Sequence, residues 1–290
     1  MSSSCSTNQG GGDKPSPMEQ RMKARENLDQ ISHKVVVMSG KGGVGKTSVA
    51  VNLAHAFQKA GLRAGILDVD IHGPNAPLMC GVEGAQAMVN DGKVVPVTSA
   101  GGVKVISMSF FLPNREEAVI WRGPLKIGAI QQFMADVDWS DVDVLVVDTP
   151  PGTGDEPLSV VQNLGPTLDG AIIVTSPQDV SLMDSGRSVT FAKKLEVCVL
   201  GILENLSGFV CPHCGKQTDL FGRGGGERVA RSMDVPFLGR MPISPAMVAA
   251  SDAGKPLVME APEDPAAITI TRIAEGLMAQ WNKDKDGDGQ

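Results

Sequence analysis

The chain has 290 residues, with 33 acidic against 26 basic side chains and a formal net charge of −7, which is enough length for one sizeable α/β core. This acidic balance excludes a sequence-independent grip on nucleic acid or on an anionic membrane, since both need clustered Lys and Arg. No apolar run approaches the roughly 20 residues of a membrane span, the start lacks a secretory apolar stretch, and five cysteines, an odd number, do not make a disulfide framework; the expected location is cytoplasmic.

Taken in order, residues 1–30 are expected to be a mostly disordered tail. Residues 1–17 are rich in Ser, Gly and Pro, and Cys5 stands alone there. Residues 18–30 could form a short polar helix, with Met22 and Leu28 too sparse to define a core face. A single domain is predicted over 31–282. It opens with the apolar, β-branched run Lys34–Met38, a buried strand, followed by Ser-Gly-Lys-Gly-Gly-Val-Gly-Lys-Thr over 39–47. That stretch matches G-x-x-x-x-G-K-[ST] without a mismatch. Glycines at 40, 42, 43 and 45 let the backbone N–H groups converge on phosphate oxygens, with Val44 and Ser48 contributing amides. Lys46 would reach the β/γ-phosphates, and the Thr47 hydroxyl would ligate Mg²⁺ at the start of the helix over 46–60. Ala50, Leu53, Ala54 and Phe57 give that helix its apolar face, and Gly61 ends it.

Residues 63–70 are a second buried strand that delivers Asp68 and Asp70 to its C-terminal end, where α/β sheets bind ligands. His72, in the turn that follows, reads as a hydrogen-bonded loop histidine. Asn90-Asp91-Gly92 signals a hairpin, followed by β segments at 93–97 and 103–108. Met108 with Phe110-Phe111-Leu112 is either a partner-facing apolar patch or a buried loop. Trp121-Arg-Gly-Pro124 leads into a helix over 125–136. A third buried strand, 142–147, ends at Asp148, an acidic residue suited to holding Mg²⁺ through oxygen. The Pro150–Gly154 run behind it suits a γ-phosphate sensor or a rigid turn. Strands at 170–176 and 197–204, separated by a helix near 180–195, complete a β-α-β-α order. The fold class is therefore α/β, one P-loop NTPase domain with a mostly parallel sheet covered by helices on both faces.

After Asn205, the segment 208–220 carries Cys211-Pro-His-Cys214-Gly215, half of a tetrahedral four-thiolate site. Cys80 and Cys198 lie in apolar surroundings and read as core thiols, and His213 is badly placed to complete the pair. Two further ligands would come most economically from a second copy across a two-fold axis. An iron–sulfur cluster, zinc or a redox dithiol all remain open for the pair, although Gly215 suits a metal knuckle better than the helix start of a dithiol site. The glycines of 221–226 are expected to be a flexible connector, followed by a helix at 227–233 and a strand at 235–238. A last helix at 264–281 is expected to pack rather than bind a membrane, and 283–290 to be a disordered acidic tail that resembles only the first half of an EF-hand loop.

Lys41, after the first glycine, is not required by the generic motif. The resulting GKGGVGKT is a deviant Walker A that resembles the SIMIBI class of P-loop ATPases, which includes MinD, ParA and the nitrogenase iron protein. This resemblance implies a homodimer in which Lys41 contacts phosphate, often the partner's. Together with the double-aspartate strand, Asp148-Thr-Pro-Pro-Gly-Thr-Gly-Asp155 and Asn205-Leu-Ser-Gly-Phe-Val-Cys-Pro-His-Cys-Gly215, it resembles the Mrp/ApbC iron–sulfur carriers over about residues 33–280. The resemblance implies ATP hydrolysis with Lys41, Lys46 and Asp70 as catalytic residues, and Asp70 on the attacking water. It also implies adenine recognition near Asn205, a [4Fe–4S] cluster bridging two chains through Cys211 and Cys214, and delivery to apo iron–sulfur proteins. Neither a four-cysteine N-terminal motif nor a small N-terminal domain, each found in some relatives, is expected here. The alternatives are a MinD/ParA-like positioning ATPase and a zinc-bridged dimeric adaptor.

Overall fold

The computed structural model describes residues 17–71, 73–111, 123–211 and 213–287. In chain order the strands are β1 (His33–Met38), β2 (Ala64–Asp68), β3 (Met88–Asn90), β4 (Lys93–Val95), β5 (Val97–Thr98), β6 (Lys104–Ser107), β7 (Val144–Asp148), β8 (Gly170–Thr175), β9 (Val199–Glu204), β10 (Phe209–Val210), β11 (Gln217–Thr218) and β12 (Phe237–Arg240). The helices are α1 (Pro17–Asp29), α2 (Lys46–Lys59), α3 (Ala76–Met79), α4 (Gly123–Asp136), α5 (Asp155–Leu164), α6 (Asp179–Lys194), α7 (Gly225–Ser232), α8 (Pro245–Asp252), α9 (Leu257–Glu260) and α10 (Pro265–Gly287).

Eight strands form one sheet in the order β12-β9-β8-β1-β7-β2-β6-β5, parallel throughout apart from the β5–β6 pair. The predicted fold class holds. Successive side chains of a strand face opposite ways, so the two faces can be read from the sequence. Val35, Val37, Ile66, Val144 and Val146 point to a core shared with α2 and α10. Val36, Met38, Leu67, Leu145 and Val147 point to a second core shared with α1, α4, α5 and α6. Each fully buried Leu or Phe in these layers contributes about 1.5–3 kcal/mol, and cutting Phe57 back to Ala would cost about 3–5 kcal/mol.

Three expectations are corrected. Helix α1 has a core face after all: Ala24 and Leu28 are fully buried against α4 and α5, and the Asn27 amide donates to the Met134 and Val137 carbonyls at 3.0 and 2.7 Å. A buried amide with two carbonyl partners does the anchoring that apolar spacing did not reveal. Residues 17–29 thus belong to the packed body rather than to a tail. Helix α10 continues past residue 281 to Gly287, so the acidic segment begins in helical backbone rather than in a loop. Cys198 is exposed, and among the described residues only Cys80 is a core thiol. Cys5, His72, Leu112 and Trp121 lie outside the described residues.

Helix α10 buries Ala266, Ala267, Ile270, Ile273, Ala274, Leu277 and Trp281, a spacing of three and four, against the back of α2. The Trp281 ring lies 5.4 Å from that of Phe57 and stacks on His33 at 4.0 Å. Among the described residues no helix is long and apolar enough to cross a membrane. The β3–β4 hairpin pairs Asn90 with Lys93, and Asp91 and Gly92 take φ 47° and 77°, as a type I′ turn requires. Met108 is buried, while Phe111 is exposed and meets Phe133 edge-on at 4.5 Å.

Candidate nucleotide and thiol sites

Parallel strands bring their C-terminal ends to one edge, and here β1, β7 and β2 are neighbours at the centre of the sheet. Asp68 and Asp148 are register partners at the ends of β2 and β7, and the β1 loop passes beside them into α2. Lys46, 6% exposed at the first position of α2, sets its ammonium 2.6 Å from Asp148 Oδ1 and 3.9 Å from Asp70 Oδ2. The Thr47 hydroxyl donates to Asp148 Oδ2 at 2.7 Å. Asp148 therefore collects the two groups that a phosphate and a metal would otherwise engage.

The loop glycines have separate reasons. Gly43 and Gly45 take φ 79° and 83°, a region that side chains penalise. A Cβ on Gly45 would also run into the Asn205 amide, and one on Gly40 into the backbone of Asp184 on α6. Gly42 has only Pro151 nearby, at 4.0 Å. Helix α2 has no side-chain cap at Gly45, which leaves the first-turn N–H groups facing the loop's concavity as an anion receptor. Lys41 is half-buried and has no ion-pair partner among the described residues.

Three carboxylates and one ammonium share this edge. Burial, with the Asp148 charge next and Lys46 opposing, pushes Asp68 up to about 8. Its oxygens accept from the Asp70 and Ala76 N–H groups at 3.1 and 3.3 Å and from Ser107 Oγ at 3.1 Å, so Asp68 braces the turn that carries Asp70. Burial also raises Asp148, with Lys46 and Thr47 pulling the other way. Asp70, 8% exposed, accepts from the Gly73 N–H at 3.3 Å. Behind Asp148, Thr149 Oγ1 donates to the Val37 carbonyl at 3.0 Å and the Gly152 N–H to Ser39 at 2.8 Å. The predicted sensor segment is thereby tied to the phosphate loop.

At the end of β9 the Asn205 amide donates to the Val44 carbonyl at 2.9 Å, and its own oxygen accepts from the Leu206 N–H at 2.9 Å. Leu206 takes φ 58°, a conformation worth on the order of 1–2 kcal/mol of strain for a side chain of this size. Asn205, expected beside the adenine, thus braces the phosphate loop. Glu204 was not singled out by sequence reasoning. Like Asp148 it closes an apolar strand, and its carboxylate is fully buried and accepts from Ser207 Oγ and the Gly224 and Gly226 N–H groups. The end of the expected flexible connector, Gly225 and Gly226, is therefore buried and closely packed, while Phe221 and Arg223 at its start are exposed. Gly224 takes φ 80°, and a Cβ on Gly225 would meet Leu182 at 2.5 Å.

Cys211 and Cys214 lie at the tip of the β10–β11 hairpin. The Cys211 N–H donates to Lys216 at 3.0 Å, Gly215 turns back at φ 69°, and its N–H donates to the Cys211 carbonyl at 2.9 Å. Backbone N–H groups of Cys214 and His213 point at the Cys211 sulfur and pull its thiol below the ordinary value. Among the described residues no helix starts at Cys211, unlike the first cysteine of a thioredoxin-like dithiol. Among the described residues no group of three His, Cys, Asp or Glu side chains converges as a metal site.

A model of the NUBPL iron-transfer P-loop NTPases, in the ParA group, matches residues 30–278. The iron–sulfur cluster carrier protein of Methanocaldococcus jannaschii is 51% identical over 241 residues, covering 83% of each chain. A cytosolic Fe–S cluster assembly factor NUBP2 homolog from Culex quinquefasciatus is 45% identical over 256 residues, 87% of this chain and 100% of that protein. Among solved structures, a nucleotide-binding protein of Archaeoglobus fulgidus in complex with ADP superposes with a TM-score of 0.73 at 38% identity, covering 85% of this chain and 95% of that one. The cell-division ATPase MinD of Pyrococcus furiosus, at 23% identity, 86% and 100% coverage and a TM-score of 0.64, shares the fold.

Proposed function

Because the chain belongs to the NUBPL iron-transfer P-loop NTPase family, we propose that it is an ATP-hydrolysing carrier that holds a [4Fe–4S] cluster as cargo between two copies of itself and hands it to apo iron–sulfur proteins. The observation that carries this reading is the pairing, in one chain, of a phosphate loop with a hairpin that offers two sulfur ligands and, among the described residues, no third. A four-thiolate cluster needs twice that number. Val210, Leu220 and Phe221 beside the hairpin, and Val180 and Met183 on α6, are exposed apolar side chains that favour a second copy as the source. The names of the carrier and cytosolic assembly-factor relatives support the cargo, the clients and a cytoplasmic location.

At the nucleotide end, Lys46 would exchange Asp148 for the β/γ-phosphates, and the loop N–H groups would hold the remaining phosphate oxygens. Thr47 and Asp148 offer adjacent hard oxygens and fit Mg²⁺, which would supply charge neutralisation across the phosphates. Asp70 would orient the attacking water, and Lys41, without an ion partner among the described residues, would meet phosphate across the dimer. Hydrolysis is slow and tied to loading or transfer of the cluster.

Anaerobic reconstitution with iron and sulfide, followed by iron, zinc and sulfide analysis, tests this reading. About one four-iron cluster per two chains is expected, following the four-thiolate requirement. Tight zinc with no iron uptake would replace the carrier by a zinc-bridged adaptor. Nucleotide-driven dimerisation with neither metal would favour a positioning ATPase.

A further inference from the structure

We propose that Glu204 is a positioning residue that couples the phosphate loop to the Cys-x-x-Cys hairpin. Its carboxylate joins the segment that leads into the hairpin to the start of α7, which follows the hairpin. Ser207 Oγ donates to Oε1 at 2.5 Å on the way in, and the Gly224 and Gly226 N–H groups donate at 2.8 and 2.5 Å on the way out. Its covalent neighbour, Asn205, holds the Val44 carbonyl and fills the space over Gly45. Between clamp and hairpin the chain turns through Leu206 at φ 58° and Gly208 at φ 81°. One short stretch therefore touches the nucleotide loop with one side chain and, with the side chain beside it, the segments on either side of the hairpin.

The enclosure turns adjacency into coupling. Glu204 is fully buried, the Gly226 backbone packs close against its Cβ, and three donors hold its oxygens, so its carboxylate is carried along when its backbone moves. The Met241 N–H donates to the Glu204 carbonyl and the Ser207 N–H to the Met241 carbonyl, at 2.8 and 2.9 Å, fixing the backbone on either side. Arg240, paired with Glu227 of α7, sets its Nε 3.7 Å from Oε1 and answers the buried charge. When a nucleotide rearranges Val44 and Gly45, Asn205 shifts, and Glu204 must move against three donors at once. A carboxylate that merely capped α7 would need neither the Ser207 contact nor a place beside Asn205.

The inference rests on the hairpin thiols being the working end of the proposed carrier, and it is tested without cargo. In the full-length, reduced, metal-free chain carrying Cys5→Ser and Cys198→Ser, the rate of iodoacetamide alkylation at Cys211 and Cys214 is measured with and without saturating Mg-ADP. The nucleotide is expected to change that rate by about fivefold or more, and in Glu204→Gln the ratio should fall to about one while ADP affinity stays within about threefold. A purely structural carboxylate would speed alkylation equally in both conditions and leave the ratio intact, which would overturn the proposal. No nucleotide effect in the parent chain would overturn it as well. If Glu204→Gln does not fold, Ser207→Ala removes one of the three donors and should diminish the ratio; an undiminished ratio overturns the coupling. Failure of the unmodified chain to take up iron and sulfide would instead remove the carrier reading, and the thiol ratio would be unaffected by it.

Discussion

The phosphate loop and the cysteine hairpin emerge from opposite kinds of scaffold. The loop joins a central strand of an eight-stranded sheet to a helix buried on both sides, and three of its glycines are set by positive φ, at Gly43 and Gly45, or by backbone contact with α6, at Gly40. The hairpin pairs two residues with two, away from the sheet, with Cys214 exposed. The loop carries its cation, hydroxyl and carboxylates within one chain, whereas the hairpin offers two thiols, half of the proposed ligand set. A site that must bind the same ligand at every turnover is served by rigidity. If the hairpin receives and releases cargo as proposed, exposure and incompleteness serve it, since a second copy would suffice to close it.

The largest expected effect breaks the hairpin alone. Cys211→Ala or Cys214→Ala removes two ligands from every proposed dimer, so reconstituted protein should lose nearly all iron and sulfide, while ADP binding measured by calorimetry stays at the parent value. Cys5→Ala, Cys80→Ala and Cys198→Ala should keep the cluster; retention in Cys211→Ala would end the bridging reading. The converse change breaks the loop alone. Lys46→Ala should lower ATP turnover by about a hundredfold or more, because the transferring phosphoryl group loses its principal cation. Asp70→Asn should keep nucleotide binding and lose hydrolysis, and full turnover there would move the water-orienting role to another carboxylate. Neither change should alter iron content.

A smaller effect sharpens the claim of rigidity. Gly45→Ala forces a side chain to φ 83° and into the Asn205 amide, and should cost about 1–3 kcal/mol in a urea melt. The smallest effect is a slope. Asp68 is pushed up to about 8 by burial, against about 3.9 in an unfolded chain. Between those values the native state keeps a proton that the unfolded state has released, so stability falls as pH rises through the window. In nucleotide-free protein the urea midpoint should drop from pH 5 to pH 8, and Asp68→Asn should flatten the decline.

Much of the nucleotide end was legible in the sequence because its chemistry is local. The match over 39–47, the apolar strands ending in Asp68 and Asp148, and the Asn-Asp-Gly turn each depend on neighbours within a few residues. The hidden parts depend on distant partners. Asn27 finds its acceptors more than a hundred residues away, on α4 and just beyond it, so α1 looked unanchored. The glycines of 221–226 looked loose because the carboxylate they pack around belongs to β9. Cys198 was read as buried from apolar neighbours in sequence, although it precedes β9 at the exposed end of the strand.

The packing of α10 on the back of α2 bears on how the protein is made. Val49, Leu53 and Phe57 are translated early, but Ala266, Ile270, Leu277 and Trp281, which cover that layer, are translated last. At ribosomal rates of roughly 5–20 residues per second, the gap amounts to about ten to forty seconds. Throughout that interval one side of the nucleotide helix faces solvent or a chaperone, and a stop codon before Ala266 would yield a chain whose phosphate loop has its motif but lacks the layer that holds its helix in place.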